Sequence, residues 1–260
     1  MTNFIVISAV SLAVVLVAYG LTFLIGRRIG RYNVVDVTWG ASFVVVAAVA
    51  AAIGTGDLLR RLLLLGLVAV WGLRLAWHMV SKSRGKGEDP RYTGLLKGDF
   101  SAPTVLRKIF LIQAVATWFV SLPLQLSATL GPTPPALVPV LICGVIVWLI
   151  GVLFEAAGDH QLKAFKADPA NRGKIMDRGL WAWTRHPNYF GDATVWWGLW
   201  LISIAGAVSL TTVLSPVAMT YFLVYATGAR RTEKFMADRP GFRQYQSRTS
   251  FFVPRPPRSR

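Results

Sequence analysis

The chain has 260 residues, 54% hydrophobic and 15% charged, with a mean hydropathy of +0.49 and a formal charge of +16 from 28 Lys and Arg against 12 acidic residues. Average soluble domains carry about 25% charge, disordered chains are less apolar, and nucleic-acid binders with such a basic balance are not built from apolar runs. One cysteine, Cys143, forms neither an internal disulfide nor a cysteine metal cluster, which leaves an all-α polytopic membrane protein whose positive charge needs a reason.

A spanning helix needs about 20 mostly apolar residues. Seven stretches are candidates: Phe4–Ile25, Val34–Ile53, Leu58–Val80, Thr104–Leu130, Ala136–Ala157, Ala193–Ala207 and Val208–Gly228. The first lacks a basic lead and is followed by Arg27, Arg28 and Arg31, the pattern of a retained anchor rather than a cleaved signal. The last two are separated only by the small and polar run Ala205–Thr212. Taken in order, the loops and tail hold three, two, seven, no, six, no and nine basic residues, so 25 of the 28 fall on one side. The positive-inside rule makes that side cytoplasmic, with the N-terminus outside and the C-terminus inside. No repeat or low-complexity linker interrupts the pattern, and the chain reads as one integral membrane domain, 1–260.

Charges at membrane depth are costly and face a bundle interior or cavity. Asp36 opens the second span, Arg74 lies inside the third within Trp71-Gly72-Leu73-Arg74, Glu155 ends the fifth with Asp159 one turn later, and Asp192 opens the sixth. Helix N-terminal charge accounts equally for Asp36 and Asp192, and an internal ion pair, with Asp36 as one partner, accounts for Arg74.

The most informative segment runs from Gly179 to Asp192 and contains Arg185-His186-Pro187-Asn188-Tyr189. Pro187 suits a first helical turn. Arg185 can fork onto a phosphate or carboxylate, His186 and Asn188 add polar contacts, and Trp183 and Tyr189 offer flat faces for a base. Upstream, Lys163, Lys166, Arg172 and Lys174 add charge on the same side. Together they point to a nucleotide site at the cytoplasmic face; an aromatic and basic interfacial anchor is the alternative. A second cluster, Arg84 to Tyr92, fits no phosphate-loop pattern and reads equally as a mixed-charge loop paired with itself. The third, opening on Arg230-Arg231-Thr232-Glu233, reads alternatively as a basic helix lying on the membrane. The three histidines, His78, His160 and His186, are scattered, no metal-ligand spacing occurs, and no GxSxG elbow is present.

The run Phe165 to Lys174, followed by Arg185 to Asp192, resembles bacterial membrane proteins grouped with the steroid 5-alpha-reductase C-terminal domain; Asp36–Trp39, Gly87–Tyr92 and Arg239–Pro254 extend the resemblance over nearly the whole chain. It implies an enzyme in a bacterial plasma membrane that binds NADPH on the cytoplasmic side and reduces a carbon–carbon double bond in a lipid-like substrate (steroid, isoprenoid or fatty acyl) entering from the membrane lipids. The cofactor half is then about 136–260. Asn188, Tyr189 and Asp192 match the cofactor motif, Asp159 an acidic contact and Lys166 a basic one. Arg172, Lys174, Trp183, Arg185, His186, Arg230 and Arg231 complete the expected cofactor set. Arg74 matches an arginine of the third span and, with Asp36, would orient or protonate substrate. Trp71 stands where these reductases carry a tyrosine, and its indole donates but is no acid. The Arg-His-Pro-x-Tyr run is also similar to membrane methyltransferases of the isoprenylcysteine carboxyl type, which bind S-adenosylmethionine; their Glu-Glu pair after the last span is here the single Glu233. A lipid-binding protein without chemistry is the third reading.

Overall fold

The computed structural model describes residues 1–257; Arg258 and Arg260, counted above in the basic tail, lie outside the described residues. Among these residues there is no strand, only an isolated parallel bridge between Thr184 and Ser250. The helices are α1 (Thr2–Ile29), α2 (Val35–Ile53), α3 (Leu58–Ser83), α4 (Pro90–Leu96), α5 (Ala102–Ser127), α6 (Val138–Ala167), α7 (Leu180–Trp183), α8 (Pro187–Ser203), α9 (Leu214–Tyr221), α10 (Ala229–Met236) and α11 (Phe242–Arg248).

Six helical stretches are long and apolar enough to cross a membrane: α1, α2, α3, α5, the stretch Pro135–Ala167 and the stretch Ala207–Met236, which joins a 3-10 segment, α9, a π turn and α10. Their outer faces carry Val17, Leu21 and Leu24 on α1 and Ile146, Leu149 and Leu153 on α6, all exposed. Apolar stripes of this size belong against lipid, not water.

The remaining expected span, Ala193–Ala207, is displaced. The helix there is α8, which starts at Pro187 and has 17 residues, about 26 Å at 1.5 Å per residue. Pro187 starts the helix because its missing N–H is one that a first turn leaves unpaired anyway. Asp192 therefore sits in the second turn rather than opening the helix. Likewise α6 continues through Ala167, so Glu155 and Asp159 lie within it rather than at its end. Hydropathy fades where a helix leaves the apolar layer, while its hydrogen bonding does not.

The chain divides into two compact units, Met1–Val138 with Ser203–Ser215, and Pro139–Ile202 with the chain from Pro216 onward. In the first unit α2 crosses α3 at Gly40 and Gly72, where a Cβ on Gly40 would come 2.6 Å from the Gly72 carbonyl oxygen. Val15, Tyr19 and Phe23 of α1 pack with Val46, Tyr92, Ile109 and Phe110. Two hydroxyl contacts tie the helices at membrane depth, Thr22 to Thr38 at 2.7 Å and Tyr19 to Thr117 at 2.9 Å, the kind of interhelical bond that holds bundles in lipid. Arg60, on the sparsely charged side of the sequence count, is 2% exposed. Its guanidinium donates to Ser127 Oγ and to the carbonyls of Leu130 and Gly131, at 2.8 Å each. This basic residue is a loop brace, which is why its position says little about topology.

In the second unit the glycines of α6 recur every seven residues, Gly144, Gly151 and Gly158, and those of α8 likewise, Gly191 and Gly198. They interlock: Gly144 faces Gly198 and Ile202, Gly151 faces Gly191 and Val195, and Gly158 faces Pro187 and Asn188. A seven-residue repeat of small side chains keeps one face of each helix in register with its neighbour. The seam fixes which residues of the two helices meet, and with them the site.

Candidate functional site

The α6–α8 seam carries three carboxylates. Glu155 is 3% and Asp192 7% exposed, and Asp159 lies one turn beyond Glu155 on α6. At the same level Asn188 Nδ2 donates to Asp159 Oδ1 at 3.3 Å. Gly191 makes this possible, since its missing side chain lets the α8 backbone lie against the Glu155 amide.

The loop leading to α8 is fastened before the helix begins. Gln161 Oε1 accepts from Leu180 N at 3.0 Å, and Trp181 Nε1 donates to the Gly158 carbonyl at 3.0 Å. Thr184 is extended, so that Arg185 N reaches the Ser250 carbonyl at 2.9 Å and Thr184 Oγ1 the Phe252 carbonyl at 2.8 Å. The chain after α9 thus folds back on the Arg-His-Pro segment, with Tyr245 donating to the Trp181 carbonyl at 2.5 Å. For α11 this differs from the reading of the tail as a helix lying on the membrane: Phe242 and Tyr245 are buried, because their aromatic side chains gain more by covering the loop.

Glu233 on α10 is the centre of that contact. Its Oε1 accepts from Arg185 Nε at 2.5 Å and lies 3.3 Å from His186 Nε2, while Oε2 accepts from Gln246 Nε2 at 3.0 Å. Arg185 Nη1 also donates to the Thr249 carbonyl at 2.5 Å. His186 is 4% exposed, stacked on Tyr189 and edge-on to Phe251. Burial pushes its pKa below the ordinary value of 6.5, against the opposing pull of Glu233. The folded protein then binds fewer protons here than the unfolded chain, so stability falls as pH drops below about 6.5 and is level above it. A melting series from pH 8 to pH 5 checks this: the midpoint should decline below about 6.5, and His186→Gln should flatten the slope.

Of the other expected cofactor residues, Lys166, Arg172, Lys174, Trp183 and Arg230 are exposed and Arg231 is half-buried. They lie at the surface of the second unit.

In the first unit Asp36 occupies the first turn of α2. Its carboxylate accepts from Tyr92 Oη at 2.5 Å and from Arg91 Nη2 at 2.9 Å. Arg91 also pairs with Asp89 at 2.9 Å, which caps α4. Glu88 accepts the backbone N–H groups of Tyr32 and Asn33, and Arg31 donates to the carbonyls of Ser83 and Lys86. The segment Arg84–Tyr92 is therefore docked on the α1–α2 turn instead of pairing only with itself. Burial, and next the Asp36 charge, hold the Tyr92 hydroxyl well above its ordinary pKa. Trp71 is fully buried against Phe43, with Arg74 half-buried one turn further along α3.

Tyr92, Arg91, Glu88 and Gln246 carry no mark of a site in the sequence, and Glu233 stands there only as one half of a Glu-Glu pair. Asp36 and Tyr92 are 56 positions apart, beyond any local periodicity. For Glu233 a signal existed: it is the one acid in the helix Ala229–Met236, among three cations.

A family model described as a protein of unknown function, DUF1295, matches residues 22–249. A stretch of 58 residues is 38% identical to the probable O-methyltransferase ustE of Ustilaginoidea virens; the match covers 22% of this chain and 20% of that protein's length. No solved structure matches.

Proposed function

Since the chain belongs to the DUF1295 family, whose model spans its helices from α1 to α11, we propose its reaction from the site: S-adenosylmethionine-dependent O-methylation of a lipid-like acceptor within the membrane. The observation that carries this reading is the set of carboxylates on the two facing helices. Glu155, Asp159 and Asp192 lie along the α6–α8 seam, and the Arg185 guanidinium at the entry to α8 is engaged by Glu233. A sulfonium cofactor is a cation, and carboxylates are the groups that complement it, whereas a dinucleotide phosphate is bound by guanidinium forks. The stretch similar to a probable O-methyltransferase supports the same choice.

When bound, S-adenosylmethionine supplies an electrophilic methyl group. Asp159 with Asn188 would hold its polar edge, and Tyr189 and Trp183 would supply the flat surfaces. Asp192 would balance the cationic charge, and the acceptor's hydroxyl proton would leave to a carboxylate of the seam. Arg185, His186 and Glu233 position Asn188 and Tyr189 and touch neither reactant.

NADPH-dependent reduction is the second reading, favoured by the Tyr92–Asp36 contact. Within the first unit that pair offers the polarised hydroxyl which Trp71 cannot, and Arg74 with Asp36 would orient the substrate. Thermal stabilisation of the purified protein separates the two, because a ligand at a hundred times its Kd stabilises by about 2.7 kcal/mol. S-adenosylmethionine should raise the midpoint by several degrees, NADPH should not, and Asp159→Ala or Asn188→Ala should remove the shift. NADPH alone raising the midpoint overturns methylation, with Tyr92→Phe then expected to lose turnover. No shift with either ligand overturns both in favour of a lipid-binding protein.

A further inference from the structure

We propose that the outward face of α10 binds the phosphate-bearing headgroups of anionic membrane lipids. The helix begins three residues after the apolar π turn ends at Ala226, where the apolar run gives way to charged residues. At 100° per residue its eight side chains divide cleanly. Ala229, Thr232, Glu233 and Met236 share one arc, on which Ala229 is buried and Glu233 is bound to Arg185 and His186. Arg230, Lys234, Arg231 and Phe235 follow one another around the other arc.

That outer arc holds three cations and an aromatic ring, and the helix's only acid is turned away from it. Among the described residues no carboxylate lies within 4 Å of Arg230, Arg231 or Lys234. Phe235 is 61% exposed. The Arg230 guanidinium sits 4.5 Å over the ring of Tyr225, which is itself 51% exposed on the apolar segment and stacked on exposed Tyr221. The cationic face is thus continuous with a lipid-facing aromatic surface. A free solute would meet the cations alone. A lipid headgroup meets the cations with its phosphate, and its chain boundary meets Phe235, Tyr225 and Tyr221. Aromatic rings favour that boundary, and basic residues beside a span attract anionic lipid.

The test uses the full chain in nanodiscs, with Cys143→Ser and Phe235→Cys carrying an environment-sensitive fluorophore in place of the ring. Phosphatidylglycerol discs should give bluer and stronger emission than phosphatidylcholine discs. Arg230→Gln, Arg231→Gln and Lys234→Gln should each weaken the response about fivefold, and the triple variant by on the order of a hundredfold. Equal emission in the two lipids overturns the proposal, as does a triple variant that responds like its parent. Millimolar inorganic phosphate reproducing the change in phosphatidylcholine discs also overturns it, in favour of a free-anion site. Melting midpoints of the unlabelled wild type and triple variant in both lipids give the same comparison without the probe: only the wild type should gain stability from phosphatidylglycerol.

Discussion

Gly191→Val is expected to lower the melting midpoint of the detergent-solubilised protein more than any conservative change on the surface. A Cβ on Gly191 would lie 2.5 Å from the Glu155 amide nitrogen and 2.6 Å from the Gly151 carbonyl oxygen. Those atoms belong to the α6 backbone and cannot turn aside as a side chain would. The helices must separate instead, and the contacts of Gly144 with Gly198 and of Gly158 with Pro187 open with them. Overpacking a tight interior costs about 1–3 kcal/mol, and a clash against backbone on both sides belongs at the upper end or beyond. Gly66→Ala is the control: nothing lies within 4 Å of that position on α3, and alanine is the better helix former by about 1 kcal/mol. It should leave the midpoint unchanged or raise it. A Gly191→Val midpoint equal to wild type would mean that α6 and α8 do not meet there.

The contrast between these two glycines shows which parts of the molecule are legible in sequence. Apolar run length located all five spans from α1 to α6 to within a few residues at their starts, because the bilayer makes that property obligatory. Helix ends were less legible, since α6 leaves the apolar layer before it stops. The glycine repeat was visible as spacing, yet only the fold says which glycine meets which. Charged partners were least legible of all. Asp36 is legible as a residue at a helix start, but its partners Arg91 and Tyr92 come from a short helix more than fifty positions away. Arg60 counts with the loop charges in sequence, although its burial and five carbonyl or hydroxyl acceptors make it internal. Residue type and spacing announce that a polar group sits near a membrane; tertiary contact decides whether it serves topology, packing or chemistry.

Glu233→Ala should separate the tail from the Arg-His-Pro segment while the spans remain folded. The substitution removes the carboxylate acceptor of Arg185, whose side chain is 10% exposed, and leaves His186 at 4% exposure facing the gap. Removing one partner of a largely buried pair costs about 3–5 kcal/mol, because the surviving charge stays desolvated. The loss should appear first in the tail, which is fastened to the segment by Glu233, Gln246, Tyr245 and the carbonyls of Thr249 and Ser250. Limited proteolysis should cut between Met236 and Ser250 far faster in the variant, while helical circular dichroism holds. Glu233→Gln keeps an acceptor of the same shape without the charge and should fall between. Arg185→Lys should resemble Glu233→Ala, since an ammonium cannot reach the Glu233 carboxylate and the Thr249 carbonyl in the fixed fork of a guanidinium. The same variants should lose stabilisation by S-adenosylmethionine, because Asn188 and Tyr189 follow the clasp by two and three residues. Wild-type proteolysis in Glu233→Ala would show that the tail is held without the clasp. Altered proteolysis with ligand stabilisation intact would show that the clasp does not position the site.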